Sequence, residues 1–172
     1  MSKNIVSKMM SDRGFTETKN NIYKKDNETT IVLWYDKDIS IEYVSNLKKQ
    51  IDSAQHSNAQ HSHEQYTGVI LIKSGKITPV ANTALTQMGV VYKIEIFDYN
   101  ELMYNPTEHE DVPRYEFVPP SDVKKLLAEY SSKKSQLPRM HYTDPIRRYY
   151  GWNKGDVVRE TADDEIYYRI IV

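Results

Sequence analysis

The chain has 172 residues, 39% of them hydrophobic, so it is long enough to bury a core as one domain or as two small ones. Lysine and arginine total 23 against 24 aspartates and glutamates, and the net charge of -1 gives no global field that would gather polyanions. The absence of cysteine excludes disulfides and thiolate sites, and the absence of a long apolar run excludes a membrane span, so we expect a soluble intracellular protein.

An amphipathic pattern opens the sequence. Apolar residues within 5–10 recur at helical spacing and Gly14 follows as a stop, so we expect a short first helix. The run 31–35, IVLWY, is short, β-branched and aromatic, and predicts a buried strand. The apolar positions over 41–51 fit a helix better than alternation, although the ISIEY stretch at the start of this segment also fits an extended strand.

A second set of elements follows a polar segment. Residues 53–65 are rich in Ser, Gln, His and Asn and predict a loop. The apolar run 69–72 predicts a central strand, Thr78 followed by proline predicts a helix N-cap, and the run 90–97 predicts a further strand. The alternation of helices and strands over 1–98 predicts an α/β layer with a small sheet.

Four prolines between 104 and 120 mark a change of composition. We interpret 1–103 as an N-terminal α/β domain, 104–120 as a Pro-containing linker and 121–172 as a small C-terminal α+β module. Ser121 or Asp122 is expected to cap the first helix of this module.

A second capped helix is predicted further along the module. Asp144 precedes Pro145, as an N-cap precedes a first-turn proline, and Gly151 follows as the stop. Two valines at 157–158 and the run 166–172 predict two closing strands. The module is small for independent stability, so we expect it to need its own N-terminal domain or a partner.

The sequence lacks the residues that nucleotide binding or metal binding would need. The six glycines form neither GxGxxG nor GxxxxGK[ST], so a nucleotide-binding loop is not expected. His56, His61 and His63 form a histidine cluster in a polar segment, and we interpret them as solvated surface and not as a metal site. We therefore expect no cofactor and no metal.

A metal-dependent nuclease is the concrete enzymatic alternative. Such a site needs an acid on one strand and an acid-x-Lys pair on the next. Asp36 supplies a first acid, but the residue two before Lys73 is Leu71, so the second carboxylate is missing. We expect no catalytic residue.

Basic residues near the N-terminus are candidates for phosphate contacts. Lys3, Lys8 and Arg13 lie on or just after the predicted first helix and are our candidate DNA-proximal residues. The alternative is a solvated charged face, which these residue types adopt by default.

The segment from Ser135, SQLPRMHYTDPIRRYYGWNKGDVVRE, resembles the C-terminal signature of the fifth-subunit family shared by eukaryotic nuclear RNA polymerases, which also has a smaller archaeal relative. The elements QLPR, DP, YYG and KGDVV follow the family's order and spacing. The likeness extends back to HE and VPR at 109–114, and more thinly to DRGF at 12–15.

This resemblance implies a non-catalytic structural subunit of a multisubunit DNA-directed RNA polymerase. It implies a jaw-like N-terminal domain near downstream DNA, with a nuclease-like fold but no nuclease site, and a C-terminal assembly module that docks on the largest subunit. A nuclear location follows, with no membrane and no small-molecule substrate. The docking residues that the resemblance carries over are Leu137, Pro138, Arg139, Asp144, Pro145, Arg147, Arg148, Tyr149, Tyr150, Gly151, Trp152, Gly155 and Val157.

The sequence departs from the family pattern in its last hairpin. Between Val158 and Tyr168 the family has a longer hairpin with a Gly-Arg-Tyr pattern, whereas this chain has RETADDEIY. With the trimmed N-terminal domain, this indicates a copy encoded by a large DNA virus, whose site would be a cytoplasmic viral factory or the virion. The alternative function is a free-standing DNA-binding or regulatory protein derived from the subunit.

Overall fold

The computed structural model describes residues 2–56, 66–162 and 165–172. The chain divides into two compact units, Met1–Tyr104 and Asn105–Val172. No helix within these ranges is long and apolar enough to cross a membrane. His61, His63 and the side chain of His56 lie outside the described residues, so the interpretation of the histidine cluster stays a prediction.

The described residues of the N-terminal unit form a five-stranded sheet with three α-helices. In chain order its elements are α1 Ser2–Asp12, β1 Thr16–Lys19, β2 Ile22–Lys25, β3 Glu28–Tyr35, α2 Ile41–His56, β4 Gly68–Lys73, α3 Pro79–Met88 and β5 Lys93–Asp98. The strands lie in chain order, with β1, β2 and β3 antiparallel and β3, β4 and β5 parallel. Five of the six residues of β4 are buried, as expected for a central parallel strand.

The core of this unit lies between the parallel strands and the helices α2 and α3. Val69 and Leu71 from β4 pack with Leu47 from α2 and Leu85 from α3. The apolar face of each crossover helix is thus buried on the sheet, which explains why the segment 41–51, with its helical spacing, formed α2.

Most predicted elements of this unit are confirmed, including the first helix, the strand at 31–35 and the helix over 41–51. Thr78 is the N-cap of α3, because its hydroxyl oxygen accepts a hydrogen bond from the backbone N of Ala81 at 3.3 Å. The strand predicted from residue 90 begins only at Lys93. Val90 is 86% exposed, and it belongs to the turn that follows α3.

The hairpin of β1 and β2 was not predicted. All four residues of β1 are exposed and polar or charged, so no buried face imposes an apolar alternation. Tyr23 is the buried residue of β2.

In the part of the C-terminal unit that the structure describes, a four-stranded sheet is joined by two α-helices. Its elements are β6 Arg114–Val118, α4 Pro120–Glu129, β7 Arg139–Met140, α5 Pro145–Tyr150, β8 Val157–Ala162 and β9 Glu165–Ile171. The strand order is β6-β8-β9-β7, in which β7 and β9 are parallel and the other pairs antiparallel. Both closing strands are confirmed, as β8 and β9.

Two features of this unit differ from the sequence interpretation. The segment 104–120 contains strand β6, which pairs with β8 over five residues, so a proline-bounded segment here holds regular structure. The helix α4 begins at Pro120, and Pro119 at its N-cap makes no side-chain capping bond. Ser121 and Asp122 therefore lie inside the first turn and the predicted cap is wrong, since a proline at the first helical position starts this helix.

The core of the C-terminal unit joins the end of α5 to the sheet. Met140, Ile146 and Trp152 pack with Val158 of β8 and Ile171 of β9. Four of these five residues belong to the signature segment that starts at Ser135, and Ile171 lies beyond it.

Candidate docking site

Helix α5 is fixed at both ends by the residues that the sequence indicated. The Asp144 carboxylate accepts a hydrogen bond from the backbone N of Ile146 at 2.8 Å, and Pro145 occupies the first helical position. Gly151 ends the helix in the left-handed conformation, with φ of 67°, and its N donates to the carbonyl of Arg147 at 2.9 Å. Both predicted caps are confirmed, and together they fix the direction of every side chain on this six-residue helix.

Several of the predicted docking residues are core residues of the unit. Tyr149 is only 1% exposed, and Trp152 and Val157 are buried as well. The ring of Tyr150 stacks on Trp152 with centroids 4.5 Å apart and 12° between the planes. Tyr149, Trp152 and Val157 thus belong to the core of the unit, and their part in docking stays a prediction.

Three members of the predicted set lie at the edge of the sheet. Pro138 and Arg139 are exposed and Leu137 is half-buried. The carbonyl of Pro138 accepts a hydrogen bond from the N of Ile170 at 2.8 Å, which holds this short edge strand against β9. Met140 turns into the core, so alternation along the strand leaves Arg139 facing solvent.

The remaining members differ in exposure. Pro145 at the start of α5 is exposed, Arg148 is half-buried, and Gly151 is buried. Gly155 is half-buried and has a φ of 85°, a conformation that strongly favours glycine. We define the docking segment as Leu137–Arg139, because it combines exposure with an ordered backbone.

Sequence reasoning missed a half-buried ion pair between two neighbouring strands of the sheet. Glu160 of β8 is buried and pairs with the guanidinium of Arg169 on the neighbouring strand. The hydrogen bond to Glu160 raises the pKa of Arg169, and burial together with the Glu160 charge raises the pKa of the Tyr115 phenol. The available signal was a glutamate beside two buried valines in a strand, where a carboxylate needs a partner.

The predicted DNA-proximal residues are not equivalent. Lys3 and Lys8 are exposed on α1. The guanidinium of Arg13, by contrast, donates two hydrogen bonds to the Glu95 carboxylate, at 2.8 and 2.9 Å, and its side chain is 6% exposed. Arg13 therefore joins the end of α1 to β5, and its predicted place near DNA stays a prediction.

The carboxyl ends of the parallel strands are where a nuclease would hold its metal. Lys73 pairs with Asp98 at 3.1 Å, and the same carboxylate caps the turn after β5 by accepting from the N of Asn100. Among the described residues no group of three or more potential ligands could hold a metal ion.

Comparison with known proteins connects this geometry to a family. The family model for the C-terminal domain of RNA polymerase Rpb5 matches residues 104–171, which covers nearly all of the C-terminal unit. The DNA-directed RNA polymerases I, II and III subunit rpabc1 of Dictyostelium discoideum is 33% identical over 156 residues, which is 87% of this chain and 76% of that protein. This chain belongs to the Rpb5 family of RNA polymerase subunits.

Other relatives in the Rpb5 family share a shorter segment. The RPABC1 subunit of RNA polymerases I, II and III from Caenorhabditis briggsae is 40% identical over 109 residues. Subunit 5B of RNA polymerases IV and V from Arabidopsis thaliana is 34% identical over 105 residues. The matched segments span 51% and 47% of those two proteins, about half of their length.

Acid should lower the folding stability of this Rpb5-family chain, partly through Asp98. The backbone hydrogen bond from Asn100 and the Lys73 ammonium hold the pKa of Asp98 below its ordinary value of 3.8. A carboxylate whose pKa is lowered by folding stabilises the folded state above its ordinary pKa and loses that contribution as the pH falls through the folded value.

Replacing Asp98 with asparagine tests this contribution. We expect Asp98→Asn to lower the free energy of unfolding at neutral pH, and the gap from wild type to narrow as the pH falls below 3.8. Urea titrations at several pH values measure the gap. Asp36→Asn, at a position outside this pair, is the matched control, and a gap for Asp98→Asn that stays constant with pH would contradict the assignment.

Proposed function

We propose that this chain is a non-catalytic structural subunit of a multisubunit DNA-directed RNA polymerase, whose C-terminal unit docks on the largest subunit. Membership of the Rpb5 family carries the proposal, because relatives in that family are named as polymerase subunits. The exposed and ordered docking segment Leu137–Arg139 lies within the residues that match the Rpb5 C-terminal domain.

For the N-terminal unit we propose a place in the lower jaw, near downstream DNA. Its mixed five-stranded sheet with helices is compatible with a nuclease-like fold whose nuclease chemistry has been lost. The net charge of -1 favours a role in a larger complex over independent DNA binding, since an independent binder would rely on clustered cations. The location that goes with this role is the nucleus, or a viral factory or virion for a virus-encoded copy.

Affinity purification from the native source tests the subunit role. A tagged chain should bring down the two largest polymerase subunits in stoichiometric amount. Recovery of the chain as a free monomer would overturn the proposal. In that case a steep salt dependence of DNA affinity would identify a free-standing DNA-binding protein.

A nuclease assay tests the non-catalytic assignment. Incubation of the purified chain with supercoiled plasmid and Mg²⁺ or Mn²⁺ should leave the plasmid intact, because Lys73 and Asp98 neutralise each other where metal ligands would be needed. Metal-dependent nicking that Asp98→Asn abolishes would contradict it.

Arg139→Ala should weaken incorporation into the polymerase while leaving the folded unit unchanged. Arg139 is exposed and makes its backbone contacts through β7, so truncation of its side chain removes no core contact. We expect at least about tenfold weaker binding to the largest subunit, the usual range for an arginine at an interface centre, with a melting temperature close to wild type. A fall in melting temperature before any loss of binding would place Arg139 in the fold and not at the interface.

A further inference from the structure

Two cationic side chains of the C-terminal unit lie close to the ring of Tyr142. The guanidinium carbon of Arg147 lies 3.5 Å from the centroid of the Tyr142 ring, and the Lys154 ammonium lies 5.2 Å from it. The backbone N of Tyr142 donates to the carbonyl of Val172 at 2.8 Å, so the ring is carried on an ordered segment. We call Tyr142, Arg147 and Lys154 the Tyr142 cluster.

Arg147 carries a charge that no carboxylate in the described part of the unit neutralises. The residue is 5% exposed, and its Nε atom is buried with no hydrogen-bond partner in the part of the chain that the structure describes. Three carboxylates of the unit have other partners, since Asp144 caps α5, Asp156 accepts from a backbone N, and Glu160 pairs with Arg169. The aromatic face of Tyr142 is the compensation that the structure shows for this cation.

An aromatic face does not compensate fully for such burial. A cation over a tyrosine ring gains less free energy from the ring than the removal of that cation from water costs. The unit therefore keeps an electropositive position that an incoming carboxylate would stabilise. Tyr142 is 39% exposed and Lys154 is exposed, so the outer side of the cluster is open to a partner.

We infer that the Tyr142 cluster receives an acidic side chain, an aspartate or a glutamate, from the polymerase subunit on which the C-terminal unit docks. This inference rests on the proposed function and names the chemistry of the partner surface. Lys154 makes the direct contact with the partner carboxylate, and the Arg147 charge on the Tyr142 ring strengthens the attraction. Tyr142 follows the docking segment by only two residues, Met140 and His141, so one partner surface can reach both.

A single carboxylate fits this cluster better than a nucleic-acid backbone does. Tracking a phosphate backbone takes several exposed cations in a row, whereas here one cation is buried and one is exposed. Arginine with an adjoining aromatic ring is also the combination that protein interfaces favour. The partner is therefore protein, and a DNA phosphate is the competing outcome of the test.

Two charge variants test the inference on the full chain, with the largest polymerase subunit from the same source as the probe. Lys154→Glu places a like charge opposite the partner carboxylate, and Arg147→Gln removes the buried charge while keeping a polar side chain. We expect each to weaken binding about tenfold at low salt, with a smaller loss at high salt because salt screens the exposed pair. Lys124→Glu, at an exposed position on α4, is the matched control and should bind as wild type does.

Zero-length cross-linking supplies a readout that folding defects do not imitate. A carbodiimide joins a lysine amine to a carboxylate in direct contact, so mass spectrometry of the wild-type complex should find Lys154 linked to an aspartate or glutamate of the largest subunit. Far-UV circular dichroism checks that Arg147→Gln is folded, and Lys154→Glu, at an exposed position, carries the test if it is not.

The possible results separate the inference from the proposed function. Wild-type affinity for Lys154→Glu together with no cross-link at Lys154 would overturn the inference and leave the subunit role intact. If the two charge variants bind a short DNA duplex more weakly than the wild-type chain does, but bind the largest subunit with unchanged affinity, the inference is overturned. The Tyr142 cluster would then be a phosphate site. Failure of the wild-type chain to bind the largest subunit would overturn both.

Discussion

Glu95→Ala should lower the free energy of unfolding of the N-terminal unit by about 3 kcal/mol, the lower end of the range for breaking a buried ion pair. The substitution removes both hydrogen bonds that the Arg13 guanidinium donates and leaves that cation buried, at 6% side-chain exposure. We take the lower end because Arg13 has a further interaction and the Glu95 side chain is still 15% exposed.

Tryptophan fluorescence can follow the two units separately, because the chain has two tryptophans and each unit holds one. In a Trp152→Phe background, Trp34 reports urea unfolding of the N-terminal unit. Glu28→Ala, an exposed glutamate of the same sheet, is the matched control and should change stability by less than about 0.5 kcal/mol. A double variant, Arg13→Met with Glu95→Leu, should recover part of the loss, since an apolar pair needs no neutralisation.

If Glu95→Ala costs no more than the control, Arg13 does not depend on this carboxylate and becomes available for other roles. The prediction of a DNA-proximal arginine would then regain its basis. The Glu95 experiment therefore decides between a structural and a functional role for Arg13.

Local chemistry explains the part of the fold that the sequence could predict. An aspartate or threonine before a proline, and a glycine after an apolar turn, each specify a helix end through contacts only a few residues apart. The caps at Thr78, Asp144 and Gly151 are confirmed for this reason. The buried strand β4 was also predictable, because nearly all of its side chains are apolar.

Features that depend on distant partners could not be predicted in the same way. Arg13 and Glu95 are 82 positions apart, and nothing in either local sequence indicates the other. The strand β6 lies in a segment that prolines bound, and its pairing with β8 supplies order that its own composition does not indicate. Tertiary contacts outweighed local composition at both places.

The predicted docking residues show a different limit of prediction from sequence. Arginine and aromatic side chains are enriched at interfaces, but tyrosine and tryptophan are also large core residues. On a helix of only six residues, the sequence did not separate the side chains that face the sheet from those that face solvent. The structure places Ile146 and Tyr149 inside, whereas Pro145 in the first turn of α5 is exposed.

Tyr149→Ala should destabilise the C-terminal unit by about 4 kcal/mol, within the range for removing a large aromatic ring from a core. The side chain is 1% exposed and makes an edge-to-face contact with Tyr150 at 5.2 Å between centroids. A loss of this size is a large fraction of the stability of a small unit. In a Trp34→Phe background, Trp152 reports urea unfolding of the unit.

Two further variants separate packing from hydrogen bonding and from residue type. Tyr149→Phe removes only the hydroxyl, which accepts a 3.4 Å hydrogen bond from Asn105, so it should cost no more than about 1 kcal/mol. Tyr130→Ala makes the same truncation at an exposed position of the same unit, and should stay within about 0.5 kcal/mol of wild type.

Polymerase binding should follow stability in this series, so that Tyr149→Phe binds normally and Tyr149→Ala does not. Weak binding by a fully stable Tyr149→Phe would instead show that the Tyr149 hydroxyl contacts the partner, and the core assignment of this residue would be wrong.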